Sequence, residues 1–277
     1  MSSVSSTLRK AGRIWLPHAI LVAFSAVILL PLIWLARVAL TDKLTAYRIP
    51  PEWAALHFDN FIEIFVNYSF ARYFLNSMIA AIGSTAIALP VATAMAYAFA
   101  RHNTGGAPLR LFVLASQMLP PVILVLPMYS LFLTFHLLNS WSGLIIAHLA
   151  INIPFLAWML VAFFQGEIEQ LEQAARIDGA TRFQAFMLVA VPVAAPGLLA
   201  AGLLAFILSW NEFLFALILT GKSTNTLPVG LAGFQSQRGV DIALLSAATI
   251  VTILPVVVLL PFMQRYLIKG ISLGALK

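Results

Sequence analysis

LEQAARIDGATRFQAFMLVAVP, residues 171–192, interrupts an apolar chain with acids, bases and amides. Of the 277 residues, 61% are hydrophobic and 9% charged, whereas soluble domains carry about 25% charged residues. Mean hydropathy is +0.96. A polar break between apolar runs reads as a loop outside a bilayer, so length here is counted in membrane spans of about 20 residues each. Cysteine is absent, which excludes a disulfide framework, a thiolate metal site and a cysteine nucleophile. The formal charge of +6 is scattered through short loops and forms no basic stripe. It therefore points to membrane orientation and away from nucleic acid.

Working outward from that break, six runs are long and apolar enough to span: 14–39, 75–99, 111–135, 143–164, 198–220 and 242–264. The expected class is all-α, a polytopic membrane protein with a short arm at 1–13 and a membrane domain over 14–277. The first run is too long for the apolar region of a signal peptide and lacks a convincing cleavage site, so it counts as a span. Ten bases fall on one side of this scheme: Arg9, Lys10, Arg13, Arg101, Arg110, Arg176, Arg182, Arg265, Lys269 and Lys277. Five fall in the opposite loops, Lys43, Arg48, Arg72, Lys222 and Arg238, with Arg37 near the end of the first span. Both termini are thus expected in the cytoplasm. In the first outer loop, RIPPEWAALHFDNFIEIF (48–65) places Trp53, Phe58, Phe61 and Phe65 on a short interfacial helix. The second span is rich in Ala, Gly and Ser, a composition for close helix packing.

The polar break belongs to the largest cytoplasmic loop, 165–197. Glu167 and Glu169 suit the positive end of a helix reaching Asp178, Gly179 supplies a left-handed stop, and Thr181 caps a second helix that Pro192 is expected to end. Ile168, Leu171 and Ala175 should share one face of the first helix, and Phe183, Phe186 and Ala190 one face of the second. Ala174, Ala175 and Gly179 leave the corner between them almost bare, so another surface can approach its backbone. The alternative is an amphipathic loop resting on headgroups, but Glu167, Glu169, Glu172 and Asp178 disfavour an anionic leaflet. A partner protein is the expectation.

These residues resemble the EAA loop of ABC importer permease subunits: Glu-Ala-Ala, three residues, Gly, nine residues, then Ile-x-Leu-Pro. Gln173, Ala174, Ala175, Gly179, Val189, Val191 and Pro192 occupy those positions. Gln173 stands where the family usually has Glu, with Glu172 one place earlier. The stretches LNSMIAAIGST, QMLPPVILVLPMYSLF, SWNEFLFALILT and TLPVGLAGF are similar to the carbohydrate-uptake branch, in particular the six-span member of the maltose-type pair. The resemblance covers most of residues 15–277. It implies a type I importer permease fold in a bacterial inner membrane and a second, homologous permease. Two ATPase subunits would bind the ATP and magnesium, and an extracytoplasmic solute-binding protein would deliver a carbohydrate. This chain would hold no cofactor. Glu172, Gln173, Ala174, Ala175, Asp178, Gly179, Phe183 and Pro192 would form the ATPase-coupling segment. Asn76 and Gln117, in two of the similar stretches, join the candidate solute path. Leu227, Pro228, Gly230 and Phe234 are candidates for binding-protein contact.

Two other features carry chemistry. TGKST, 220–224, looks like the end of a phosphate-binding loop, but the first glycine of that motif falls on Ala216 inside a span, so Lys222 reads as an interfacial anchor. SWNEF places Asn211 and Glu212 within the fifth span. Glu212 would lie eight residues from the outer end, about 12 Å deep at 1.5 Å per residue, where an ionised acid needs a partner or water. Solute contact or gating and a polar tie between helices both fit. An ion-coupled secondary transporter is the alternative function, and it usually shows several intramembrane acids or repeated interrupted helices. The five histidines have no ligand-like spacing, and no nucleophile–base pair or paired carboxylates indicate catalysis.

Overall fold

With no water at the bilayer centre to satisfy free N–H and C=O groups, an apolar run closes its hydrogen bonds internally by coiling into helix. The computed structural model describes residues 2–48, 56–236 and 239–274. Its helices are α1 (Ser2–Ala39), α2 (Asp59–Asn67), α3 (Phe70–His102), α4 (Gly106–Met118), α5 (Pro121–Thr134) and α6 (Trp141–Val161). There follow α7 (Glu167–Ile177), α8 (Arg182–Gln184), α9 (Val191–Trp210), α10 (Leu214–Leu219), α11 (Leu227–Ala232) and α12 (Ile242–Gly274). Strands β1 (Gln235–Ser236) and β2 (Gly239–Val240) pair antiparallel. Among the described residues, five stretches are apolar and long enough to cross a membrane: Pro17–Ala39, Phe70–His102, Trp141–Phe164, Arg182–Trp210 and Ile242–Gln264. A sixth crossing requires α4 and α5 together.

Three expectations change. Residues 111–135 are not one helix, because α4 and α5 meet at 94°. Leu119 and Pro120 each precede a proline, which disfavours helical backbone, and both are extended, with ψ of 124° and 130°. The expected span 198–220 is also shifted. Helix runs continuously to Trp210 from as early as Arg182, then breaks before α10, so Asn211 and Glu212 lie at a helix end and not inside a span. Finally, Pro192 does not stop the helix. Residues Ala185–Ala190 form a π turn in which the Val191 N–H bonds back to the Phe186 carbonyl, and Pro192 follows within the continuous helix at the start of α9, where that wider turn accommodates a residue without an N–H.

The chain divides into two compact units, Met1–Tyr68 with Phe234–Val251 and Ser69–Gly233 with Thr252–Lys277. In the first, Val38, Ala46 and Ala243 are buried together, and Lys43 pairs with Glu63 at 2.7 Å and Asp241 at 3.6 Å. Phe61 and Phe65 lie in α2 and Phe58 just before it, while Trp53 falls outside the described residues.

In the second unit, α3 packs on α6 and α9 through side chains that scarcely exist. Ala88, Ala92 and Ala96 meet Leu156, Leu160, Ala194, Leu198, Ala201 and Ala205 in one buried cluster. A methyl group at Gly83 of α3 would come within 2.7 Å of Ile145 on α6. Lipid is as apolar as the helices, so this close packing and interhelical hydrogen bonds hold them together, not exclusion of water. Asn152 of α6 donates to Ser209 of α9 at 2.8 Å, and Ser209 lies 2.9 Å from Ser84 of α3. Trp210 Nε1 donates to the Thr252 carbonyl at 3.1 Å, tying α9 to α12. Each such bond contributes about 0.6 kcal/mol.

Candidate functional site

The loop after α6 becomes ordered through its own termini. Arg176 sits in the last turn of α7, where a base suits the negative helix end. Gly179 follows at φ +96°, a conformation that favours glycine. The N–H of Ala180 closes on the Ala175 carbonyl at 3.0 Å. Thr181 then starts the next helix with a reciprocal cap: its hydroxyl accepts from the Gln184 N–H at 3.2 Å, and its own N–H donates to Gln184 Oε1 at 2.9 Å.

The face of α7 turned toward the protein differs from the one expected. Ile168 is buried and Ala175 half-buried, but between them Leu171 is exposed and Glu172 is buried. An acid goes inside because α3 supplies its partners. Tyr97 donates its hydroxyl to Glu172 Oε1 at 2.7 Å, and Arg101 Nε donates to Oε2 at 2.8 Å. Arg101 also reaches Glu169 at 2.9 Å. Burial pushes the Glu172 carboxyl up, but the hydrogen bonds from Arg101 and Tyr97 outweigh it and hold the group below the ordinary 4.5. Around this joint the Tyr97 ring lies 4.5 Å from Phe186 and 5.7 Å, edge on, from Phe164. The loop is thereby fastened to the end of α3 on both sides of its corner.

The outward side is bare. Gln173, Ala174, Asp178, Gly179, Phe183 and Pro192 are all exposed, and a methyl group added at Gly179 would meet nothing within 4 Å. Ile177 and Phe183 are 86% and 70% exposed. The π turn draws Ala185 and Ala190 inward with half-buried Phe186, while Phe183, expected on that face, stays out. Sequence reasoning missed Tyr97 and counted Arg101 only toward orientation. The available signal was a base at a span end and two acids three residues apart on the loop.

The polar residues singled out near the spans are engaged within this subunit. Asn76 donates to the Ser223 and Asn225 carbonyls at 3.0 and 2.9 Å and accepts from Trp141 Nε1 at 2.9 Å. Gln117 donates to the Ile151 carbonyl at 3.0 Å, one residue beyond Ala150, whose carbonyl loses its usual partner to Pro154. Asn211 is exposed and donates back to the Ile207 carbonyl at 2.9 Å. Glu212 accepts from the N–H groups of Phe215 and Ala216 at 2.8 and 3.0 Å, capping α10, and lies 3.5 Å from His148 Nε2. The TGKST segment closes on Asn139, whose Oδ1 accepts from Gly221 N–H, Ser223 and Thr224.

In the following stretch, Leu227 is fully buried with its N–H on Ser77 Oγ at 2.8 Å, and Pro228 is half-buried. A methyl group at Gly230 would collide with the Tyr73 ring. Phe234 is buried, its ring 4.9 Å from that of Tyr68. The surface of this stretch is carried by Ala232 and Gly233.

A cavity of about 630 Å³ opens between α3, α9 and α12, lined by Met78, Ile82, Leu89, Leu203, Phe206 and Val258 among others, with Thr85 the one hydroxyl on its wall. Such a wall offers a polar solute almost no hydrogen-bonding partner. Among the described residues no group of three or more His, Asp or Glu side chains is arranged to hold a metal.

Residues 88–273 match the family model described as binding-protein-dependent transport system inner membrane component. The chain is 35% identical over 253 residues to the sulfoquinovosyl glycerol transport system permease protein SmoH of Agrobacterium fabrum, covering 90% of this chain and 89% of that one. It is likewise 35% identical over 255 residues to the trehalose transport system permease protein SugB of Mycobacterium tuberculosis, covering 90% and 92%. Its fold is similar to a chain of a bacterial ABC transporter involved in import of the acidic polysaccharide alginate, with a TM-score of 0.73, 19% identity and coverage of 92% and 97%. The chain is a multi-pass permease of the binding-protein-dependent transport system inner membrane component family.

Proposed function

We propose that the chain forms one half of the pore of an ATP-driven carbohydrate importer in the cytoplasmic membrane, with its 165–197 loop seated on an ATPase subunit. One observation carries the coupling part: a loop whose inner side is fastened to α3 and whose outer side is bare at Ala174 and Gly179. Closure of an ATPase dimer around ATP and magnesium would push α7. Because Glu172 joins α7 to α3, the push passes to α3 and to α6 and α9 packed on it, a rigid-body switch between inward- and outward-open states. The nucleotide drives this only through unequal affinity of the ATPases for the two states. A second permease completes the pore, and a solute-binding protein meets the outer loops, where residues 221–241 present Ala232 and Gly233. Carbohydrate is supported by the relatives named for sulfoquinovosyl glycerol and trehalose transport. An apolar cavity within this chain further favours a solute path shared with the partner permease.

The ion-coupled alternative receives no support from Glu212, whose oxygens are occupied in capping α10. The deciding experiment is uptake in cells expressing the complete transporter. Vanadate is expected to abolish it and an uncoupler to spare it. Loss under the uncoupler with persistence under vanadate overturns the ATP-driven reading.

A further inference from the structure

The short helix α2 has three distinct sides. At 100° per residue, Asn60 and Ile64 point together and are 3% and 0% exposed. Phe65, Ile62 and Val66 fill a separate arc of about 100° and are 45%, 61% and 73% exposed. Asp59, Glu63 and Asn67 fill the remaining arc, where Glu63 already holds Lys43 at 2.7 Å. Buried, apolar and charged residues each have their own side.

The helix is also held at a defined height. The Asn60 side-chain amide donates to the carbonyls of Ala39 and Thr41 at 2.9 and 2.8 Å, and the His57 N–H donates to the Leu40 carbonyl at 2.9 Å. Ala39 is the last residue of α1 and Leu40 and Thr41 follow it directly, so these carbonyls have no acceptor role within the helix ladder. So α2 lies at the end of α1, and two residues separate its last residue, Asn67, from α3. Just before that end, Trp34 stacks with the Arg37 guanidinium at 5.1 Å, the pairing of ring and base that marks a membrane boundary. An apolar arc beside a charged arc, fixed at that level, matches the order of acyl chain, headgroup and water.

We infer that α2 lies in the headgroup–acyl boundary with Ile62, Phe65 and Val66 turned into lipid, and that it sets the depth of α1. The second part follows from α1 itself: none of its most apolar eighteen-residue window is buried in the chain, so within this subunit its height is held at its end, where Val38 is buried with Ala46 and Ala243 and α2 is hydrogen-bonded to it.

The chain has no cysteine, so a single introduced one carries a unique spin label in this subunit. Asp59→Cys, Ile62→Cys, Phe65→Cys, Val66→Cys and Asn67→Cys are to be labelled in the assembled transporter, reconstituted in phosphatidylethanolamine–phosphatidylglycerol bilayers. Collision with oxygen is then compared with collision with a water-soluble nickel chelate. Oxygen should dominate several-fold at 62, 65 and 66, and the chelate at 59 and 67. Chelate dominance at all five places α2 in water and overturns the inference. Low collision with both reagents at 62, 65 and 66 shows protein covering the apolar arc and overturns it equally.

Discussion

Glu172 faces protein, and a buried carboxylate must be held. With Arg101 and Tyr97 on its two oxygens, it ties α7 to α3. Glu172→Ala leaves Arg101 with Glu169 alone and the Tyr97 hydroxyl without its acceptor, which should cost about 1–3 kcal/mol and lower the melting temperature of the purified complex in detergent. Glu172→Gln keeps an acceptor for Tyr97 but loses the charge, so it should be milder. In both variants uptake should fall while the ATPase still co-purifies, because the outward side of α7 is untouched. Full uptake by Glu172→Ala at normal abundance would refute the lever. The same joint sets a pH dependence. The Glu172 carboxyl is held below 4.5 in the folded protein, so its contribution is present above the unfolded value and is lost as pH falls through the lower folded value. Melting temperature measured from neutral pH downward should therefore lose less below about pH 4.5 in Glu172→Gln than in the parent, relative to each at neutrality.

At the scale of elements, the corner after α7 is where folding and the proposed docking can be tested apart. Gly179 is at φ +96° with nothing within 4 Å of an added methyl group, and Asp tolerates left-handed backbone better than most residues. At φ +96° an Asp carries strain of about 1–2 kcal/mol, so the effect of Gly179→Asp is read per unit of subunit recovered from the membrane. The added bulk and charge should cut ATPase co-purification tenfold or more, about 1.4 kcal/mol of docking free energy. Unaltered co-purification and uptake would refute the docking role. That α7, a glycine stop and a Thr181 cap succeed one another was legible in the residues, because capping is local chemistry. Which side of α7 turns inward was not. Periodicity ranks Leu171 inward and Glu172 outward, and the reversal depends on Arg101 and Tyr97, some seventy residues earlier in the chain. Pro120 and Pro121 lie inside the run read as one span, 111–135, and the 94° bend there depends on packing that no local pattern encodes. The π turn before Pro192 was equally hidden, since one added residue in a turn changes no hydrophobic signal.

For the whole molecule, the bend between α4 and α5 poses a question of parity. If the pair crosses the membrane, there are six crossings and both termini share a side; if it dips in and returns, there are five and they are opposed. Charge distinguishes the two. With six crossings the loops and tails divide their bases ten against five, leaving Arg37 aside. With five, everything after α5 changes side, and the division becomes seven against eight. Orientation follows an excess of Lys and Arg in short cytoplasmic loops, and the second arrangement has none to follow. Six crossings also bring Arg176 and Arg182 to the same side as Arg9, Lys10 and Arg13, putting the 165–197 loop within reach of a cytoplasmic ATPase. A fluorescent protein that matures only in the cytoplasm should therefore shine when fused after Lys277, and alkaline phosphatase there should be inactive. Fused within residues 221–226, the two reporters should exchange behaviour. An active phosphatase after Lys277 would make the α4–α5 pair a re-entrant hairpin and place the bare corner at Gly179 on the wrong side of the membrane for any ATPase to grip.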